Sequence, residues 1–143
     1  MSDKKKLVFI VGSLRRGSFN RVLAEHAAAY VGDRAEVEIL DYAAVPLLNQ
    51  DEEFPAPEAV TRARETVMAA DCVWIFTPDY NFSFPAPVKN LLDCLSRPLV
   101  AGDYETQRPL TGKPTAISGA GGKGATAGPG PIKKERSICL SAI

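Results

Sequence analysis

VFIVGSLRRGSFNRVLAE, Val8 to Glu25, is the stretch whose reading decides the fold. Apolar residues run into Gly12, a polar loop follows, and helical spacing resumes at Asn20, with Leu23, Ala27, Tyr30 and Val31 predicted on one face. The pattern is strand, loop, helix. Ser13, Arg15, Arg16, Gly17, Ser18 and Asn20 give the loop hydroxyls, guanidinium groups and free helix N-terminal amides, a donor set suited to a phosphate dianion. An ordinary helix cap needs fewer donors than this.

Outward from that stretch the chain alternates. Ala35 to Leu40 (AEVEIL) reads as a second strand nearer a sheet edge, and Asp41 ends it. A long connection broken by Pro46, Pro55 and Pro57 leads to a helix that starts at Pro57 and buries Ala59, Val60, Ala63, Val67 and Ala70. The continuous apolar run CVWIFT, Cys72 to Thr77, has the character of a central parallel strand covered on both faces. After Pro78 an aromatic loop precedes a helix carrying Val88, Leu91, Leu92 and Leu95, then PTAIS forms a fourth strand before GAGGKG, Gly119 to Gly124. Alternating strands and helices imply right-handed crossovers and a doubly wound parallel sheet. In the flavodoxin-like order 2-1-3-4-5 the switch point lies between strands one and three, which selects the loops Gly12 to Asn20 and Pro78 to Pro85 as a ligand site, with Ser118 to Gly124 beside them.

Composition narrows the function. In 143 residues, 17 lysines and arginines balance 17 acidic residues, so no net field favours nucleic acid or an anionic membrane. No apolar run reaches the length of a membrane span, and MSDKKK leads into only a short strand, so a cytoplasmic protein is expected. Cys72, Cys94 and Cys139 lack the spacing of a disulfide framework or a zinc site; Cys72 and Cys94 read as buried apolar positions, and no metal is expected. The first loop places Ser18 where a Walker lysine must stand, and GAGGKG matches the dinucleotide fingerprint only late in the chain, with no helix after it. Asp41 is the one residue favouring a dinucleotide ribose, and a turn-forming aspartate is its simpler reading.

GSLRRGSFN, then PDYNFSFPAPVKNLLD, then SGAGGKG resemble the NADPH-dependent FMN reductase family, flavodoxin-like enzymes that include quinone, chromate and azo-dye reductases; the likeness covers residues 7 to about 127. The resemblance implies that Ser13, Arg15, Ser18 and Asn20 hold the FMN phosphate, with Arg15 the principal charged contact. It also implies that Pro78, Tyr80 and Asn81 lie against the isoalloxazine ring and that Ser118, Gly119 and Gly121 contact it. Asp79 stands where the family usually has glutamate; its backbone keeps its place in the site, while the shorter side chain departs from the pattern. No catalytic side chain is required, since the chemistry resides on flavin N5. The implied activity is hydride transfer from NADPH or NADH through FMN to a quinone-like or other small electron acceptor, in a homodimer or homotetramer. A flavin-binding electron-transfer or redox-sensing module that does not oxidise NAD(P)H, or an inactive truncated variant, stands as the alternative. After Gly128 the chain reads PGPIKKERSICLSAI where the resemblance implies a helix, a fifth strand and a last helix. The expected organisation is a flavodoxin-like FMN-binding domain over 1–127 and an atypical, loosely packed tail over 128–143, with the fifth strand and last helices missing.

Overall fold

The structure is a computed structural model and describes residues 4–121 together with the backbone of Ile138–Cys139. Four parallel strands, β1 (Lys5–Val11), β2 (Ala35–Ile39), β3 (Cys72–Phe76) and β4 (Pro114–Ser118), lie in the order β2-β1-β3-β4. A two-residue strand, β5 (Ile138–Cys139), pairs antiparallel with Pro114 and Thr115 on the outer side of β4. The expectations for the remainder of the tail after Gly121, including the glycines at 122 and 124, fall outside the described residues.

The strands are apolar on both faces because both faces are covered. Val8 and Ile10 of β1 point to one side with Val73 and Ile75 of β3, where helices α2 (Glu58–Ala69) and α3 (Ala86–Leu95) supply Val67, Leu91 and Leu95. Phe9, Val11 and Phe76 point to the other side, under helix α1 (Phe19–Val31), whose Ala24 is fully buried and whose Leu23, Ala27 and Val31 pack around it. Helices on opposite faces of one parallel sheet make the doubly wound arrangement that the alternation predicted. At about 25 cal/mol per Å² of apolar surface, each fully buried valine, leucine, isoleucine or phenylalanine among these contributes roughly 1.5–3 kcal/mol.

Two side chains depart from their expected places. Tyr30 is 80% exposed, although its spacing placed it with the inward face of α1; its ring lies on the solvent side with the Arg34 guanidinium 4.6 Å from its centroid. Cys72 is half-buried, because it opens β3 at the rim of the sheet, whereas Cys94 on α3 is buried as expected. Helix α2 begins at Glu58, and Pro57 caps it from outside instead of occupying its first turn.

The long connection between β2 and α2 is fastened to α3. Asn90 donates from its amide to the Pro46 carbonyl at 2.8 Å and accepts from the Leu48 N–H at 2.9 Å. Arg97 grips Glu53 with two hydrogen bonds of 2.6 and 3.0 Å, and buried Arg64 donates twice to the Cys94 carbonyl. Where this connection leaves β2, the Tyr42 hydroxyl donates to the Val11 carbonyl at 2.6 Å, and burial pushes its pKa up to about 12. The segment next to the first loop is thereby held in place.

Candidate functional site

The crevice opens where β1 and β3 end. Gly12 donates its N–H to the Phe76 carbonyl at 2.6 Å, and a Cβ on Gly12 would come 2.2 Å from Thr77 Oγ1. Only glycine permits that approach. Thr77, fully buried, donates its N–H to the Ser118 carbonyl at 2.9 Å, so β3 and β4 stay together to the point where all three following loops diverge.

Each loop has its own local cause. In the first, Gly17 takes φ +72°, turning the chain so that buried Ser18 can cap α1 by accepting the Arg21 N–H at 3.4 Å. The first turn of α1 carries no acidic residue, which leaves the positive end of its dipole unneutralised. In the second, Tyr80 and Ser83 exchange backbone hydrogen bonds of 3.0 and 3.1 Å around Asn81 and Phe82, both at positive φ (52° and 62°). That is a two-residue hairpin of type I′ geometry, in which asparagine is favoured and phenylalanine is not. In the third, Ala120 exchanges two 2.9 Å hydrogen bonds with the buried Asn20 side chain: its carbonyl accepts from Asn20 Nδ2 and its N–H donates to Asn20 Oδ1. The first and third loops are stitched together across 100 residues of sequence.

Between them lies a cavity of about 170 Å³. Of the residues singled out in the sequence, Ser13, Arg15, Ser18, Asn20, Pro78, Asp79, Tyr80 and Gly121 line it. Asn81, Ser118 and Gly119 do not: Asn81 stands exposed at the hairpin tip, and Ser118 spends its hydroxyl on the Trp74 indole N–H at 3.0 Å and its carbonyl on Thr77. Asn20 faces the cavity with its side chain committed to Ala120, and Ser18 Oγ accepts from the Arg21 N–H. The Ser13 and Ser18 hydroxyls keep a proton to donate, and the Arg15 guanidinium lies exposed, with Nη1 donating to the Arg16 carbonyl at 3.3 Å and its carbon 5.6 Å from the Phe19 ring centroid. Phe19 and Ala120 also line the cavity and went unnoticed in the sequence; an aromatic residue at the first position of a helix, between two polar loop residues, was the available signal for Phe19.

Asp79 supplies the sharpest electrostatic feature. Its Oδ1 is buried and has no hydrogen-bond partner among the described residues, and burial pushes the carboxyl pKa up. A buried, unpaired acceptor in a cavity wall is completed by a ligand that brings an N–H or O–H. The N-terminal amides of α1, Arg15, a carboxyl oxygen without a partner among the described residues and the Tyr80 ring are a donor and wall set that fits the polar and flat parts of a flavin mononucleotide. Among the described residues no group of histidine, cysteine and acidic side chains could hold a metal.

Comparison with known proteins gives the family and the fold. The sequence profile described as NADPH-dependent FMN reductase matches residues 5–128. An NAD(P)H-dependent FMN reductase of Pseudomonas aeruginosa is 40% identical over 121 residues, 84% of this chain and 62% of its own length. A quinone reductase of Escherichia coli is 39% identical over 122 residues, 82% of this chain and 60% of its own length. Among solved structures, FerB, a flavoenzyme NAD(P)H:(acceptor) oxidoreductase from Paracoccus denitrificans, superposes with a TM-score of 0.72 at 34% identity, covering 80% of this chain and 60% of FerB. The chain thus spans about 60% of the length of these relatives. A parallel sheet in the order β2-β1-β3-β4, three loops meeting over its switch point and a profile match across the whole described body establish that this chain belongs to the NADPH-dependent FMN reductase family.

Proposed function

We propose that this chain forms the FMN-binding body of an oxidoreductase that takes hydride from NAD(P)H and passes electrons to a quinone-like or other small acceptor. The observation that carries the reading is the cavity itself, in which the unneutralised N-terminus of α1, the Arg15 guanidinium and the Asp79 oxygen without a partner among the described residues face one space. The names of the FMN reductase and quinone reductase relatives support the substrate classes. FMN, when bound, supplies the hydride-accepting and electron-donating chemistry. The protein's residues do the holding. Ser13, Arg15 and the α1 amides take the phosphate; Asn20 and Ser18 fix the loop that presents them; Pro78, Asp79 and Tyr80 form the wall along the flat part of the cofactor, with the Ala120–Gly121 backbone opposite. Asn81 and Ser118 act by shaping the second and third loops.

We take the working form to be a cytoplasmic homodimer or homotetramer. No helix among the described residues is long and apolar enough to cross a membrane. Exposed Tyr80 and Phe82 on the second loop, with exposed Leu14 and Leu47 nearby in sequence to the first loop and the long connection, offer apolar surface for a second subunit. The test is direct. The purified protein should carry yellow FMN that is released on denaturation, and should consume NADPH in the presence of benzoquinone. Bound FMN without NADPH consumption would replace the enzyme by an electron-transfer module, and absence of any flavin affinity would overturn the proposal.

A further inference from the structure

Phe19 lines the cavity proposed for the flavin, yet neither the fold nor the phosphate donors account for its side chain. It opens α1, is 61% exposed and takes no part in the core beneath that helix. Its place beside Arg15 has a local cause. The Ser18 N–H donates to the Arg15 carbonyl at 3.1 Å, Gly17 takes its positive φ inside that turn, and α1 starts at once, so residues 15 and 19 are brought side by side. The guanidinium carbon of Arg15 lies 5.6 Å from the centre of the Phe19 ring, within the range of a cation–π contact. One N–H group, on Nη1, is engaged by the Arg16 carbonyl at 3.3 Å, and Arg15 enters no ion pair among the described residues.

Arg15 borders two spaces. One is the cavity proposed for the flavin; the other, of about 370 Å³, lies between the first loop and residues 40–43 and is lined also by Arg16, Arg21 and Asp41. An acidic side chain stands in each, Asp79 in the first and Asp41 in the second, so an exposed, flexible arginine has two places to go. Phe19 lines only the first. We propose that Phe19 is a positioning residue, whose ring holds the Arg15 guanidinium on the flavin side of the loop and thereby sets how strongly the site prefers FMN to riboflavin. The inference rests on the flavin reading above. Ordering a long side chain at the moment of binding costs free energy, and a guanidinium that already lies on an aromatic ring has less freedom left to lose. Stacking also leaves its in-plane N–H groups available to an anion.

The experiment is a double-mutant cycle on the full chain, with Phe19→Leu, Arg15→Ala and the two combined, read as dissociation constants for FMN and for riboflavin by flavin fluorescence. Phe19→Leu should weaken FMN about two- to fivefold, the size of one exposed cation–π contact, and leave riboflavin unchanged. Phe19→Tyr should restore the original ratio, and in the Arg15→Ala background Phe19→Leu should have no further effect. In the flavin-free protein the Arg15 side-chain protons should show an upfield ring-current shift by NMR that Phe19→Leu abolishes. Equal losses for the two flavins would make Phe19 a wall of the cavity and nothing more. An unchanged FMN affinity in Phe19→Leu, an undiminished loss in the Arg15→Ala background, or the absence of the ring-current shift would each overturn the proposal as well. If neither flavin binds the unaltered chain, the flavin reading fails on that titration alone. Inorganic phosphate titrated against the same variants then decides, by the same criteria, whether the ring serves anion binding by Arg15.

Discussion

Arg15 is the cation among the residues lining the cavity and Asn20 is already engaged by Ala120, so the proposed phosphate end should depend most on Arg15. A charge-assisted hydrogen bond contributes about 1.5–3 kcal/mol, so Arg15→Ala should weaken FMN by roughly tenfold to a hundredfold in equilibrium dialysis, and should weaken riboflavin hardly at all. Equal losses for the two ligands would mean that Arg15 does not meet the phosphate. Gly12→Ala belongs to the same scale. Its new methyl would stand 2.2 Å from Thr77 Oγ1, and forcing β1 from β3 at that point should cost about 1–3 kcal/mol in urea unfolding and should also lower FMN affinity. Asp79 gives a pH signature. Burial holds its folded pKa above the unfolded value of about 4. Below the unfolded value both states are protonated and the group contributes nothing; as pH rises toward the folded value, the unfolded chain ionises more readily and stability falls, then levels off. Asp79→Asn should remove that decline, measured by urea unfolding of the flavin-free protein from pH 3.5 to 7, and an identical pH profile for the two proteins would contradict the assignment.

At the scale of elements the second loop is the informative one. Phe82 holds φ 62° in a type I′ hairpin and leaves 67% of its surface in water, so its side chain offsets little of the strain of about 1 kcal/mol that a non-glycine residue meets there. Phe82→Gly trades that strain against the greater freedom of glycine in the unfolded chain, and thermal unfolding should move by no more than about 1 kcal/mol. A larger loss would show that Phe82 is packed against a partner in solution. The strands and helices themselves were legible, because a central parallel strand must be apolar on both faces and CVWIF and VFIV could hardly be anything else. Loop positions on the sheet edge followed from topology alone. What sequence could not convey was which atoms each polar residue spends on its neighbours. Ser118 and Asn20 have the right chemistry for a ligand, yet Trp74 and Ala120 claim their side chains first, and those partners lie 44 and 100 residues away. Tyr30 was misplaced for a related reason: helical period assigns a face, but the width of the buried stripe on α1 is set by how far β1 and β3 extend beneath it.

Over the whole molecule, the cavity proposed for the flavin opens on the side where the sheet ends. If reductant and acceptor take turns at the same flavin face, initial rates measured with NADPH and benzoquinone varied together should give parallel double-reciprocal lines. Intersecting lines would require both to be bound at once. The architecture also carries a built-in optical gauge. The chain has a single tryptophan, Trp74, stacked on Phe76 at 4.9 Å and hydrogen-bonded to Ser118, four positions before Pro78, or about 13 Å at the rise of a strand. Its emission overlaps the absorption of an oxidised flavin, so energy transfer should dim it as the cofactor arrives, and the indole doubles as an unlabelled monitor of occupancy in every variant that leaves β3 intact.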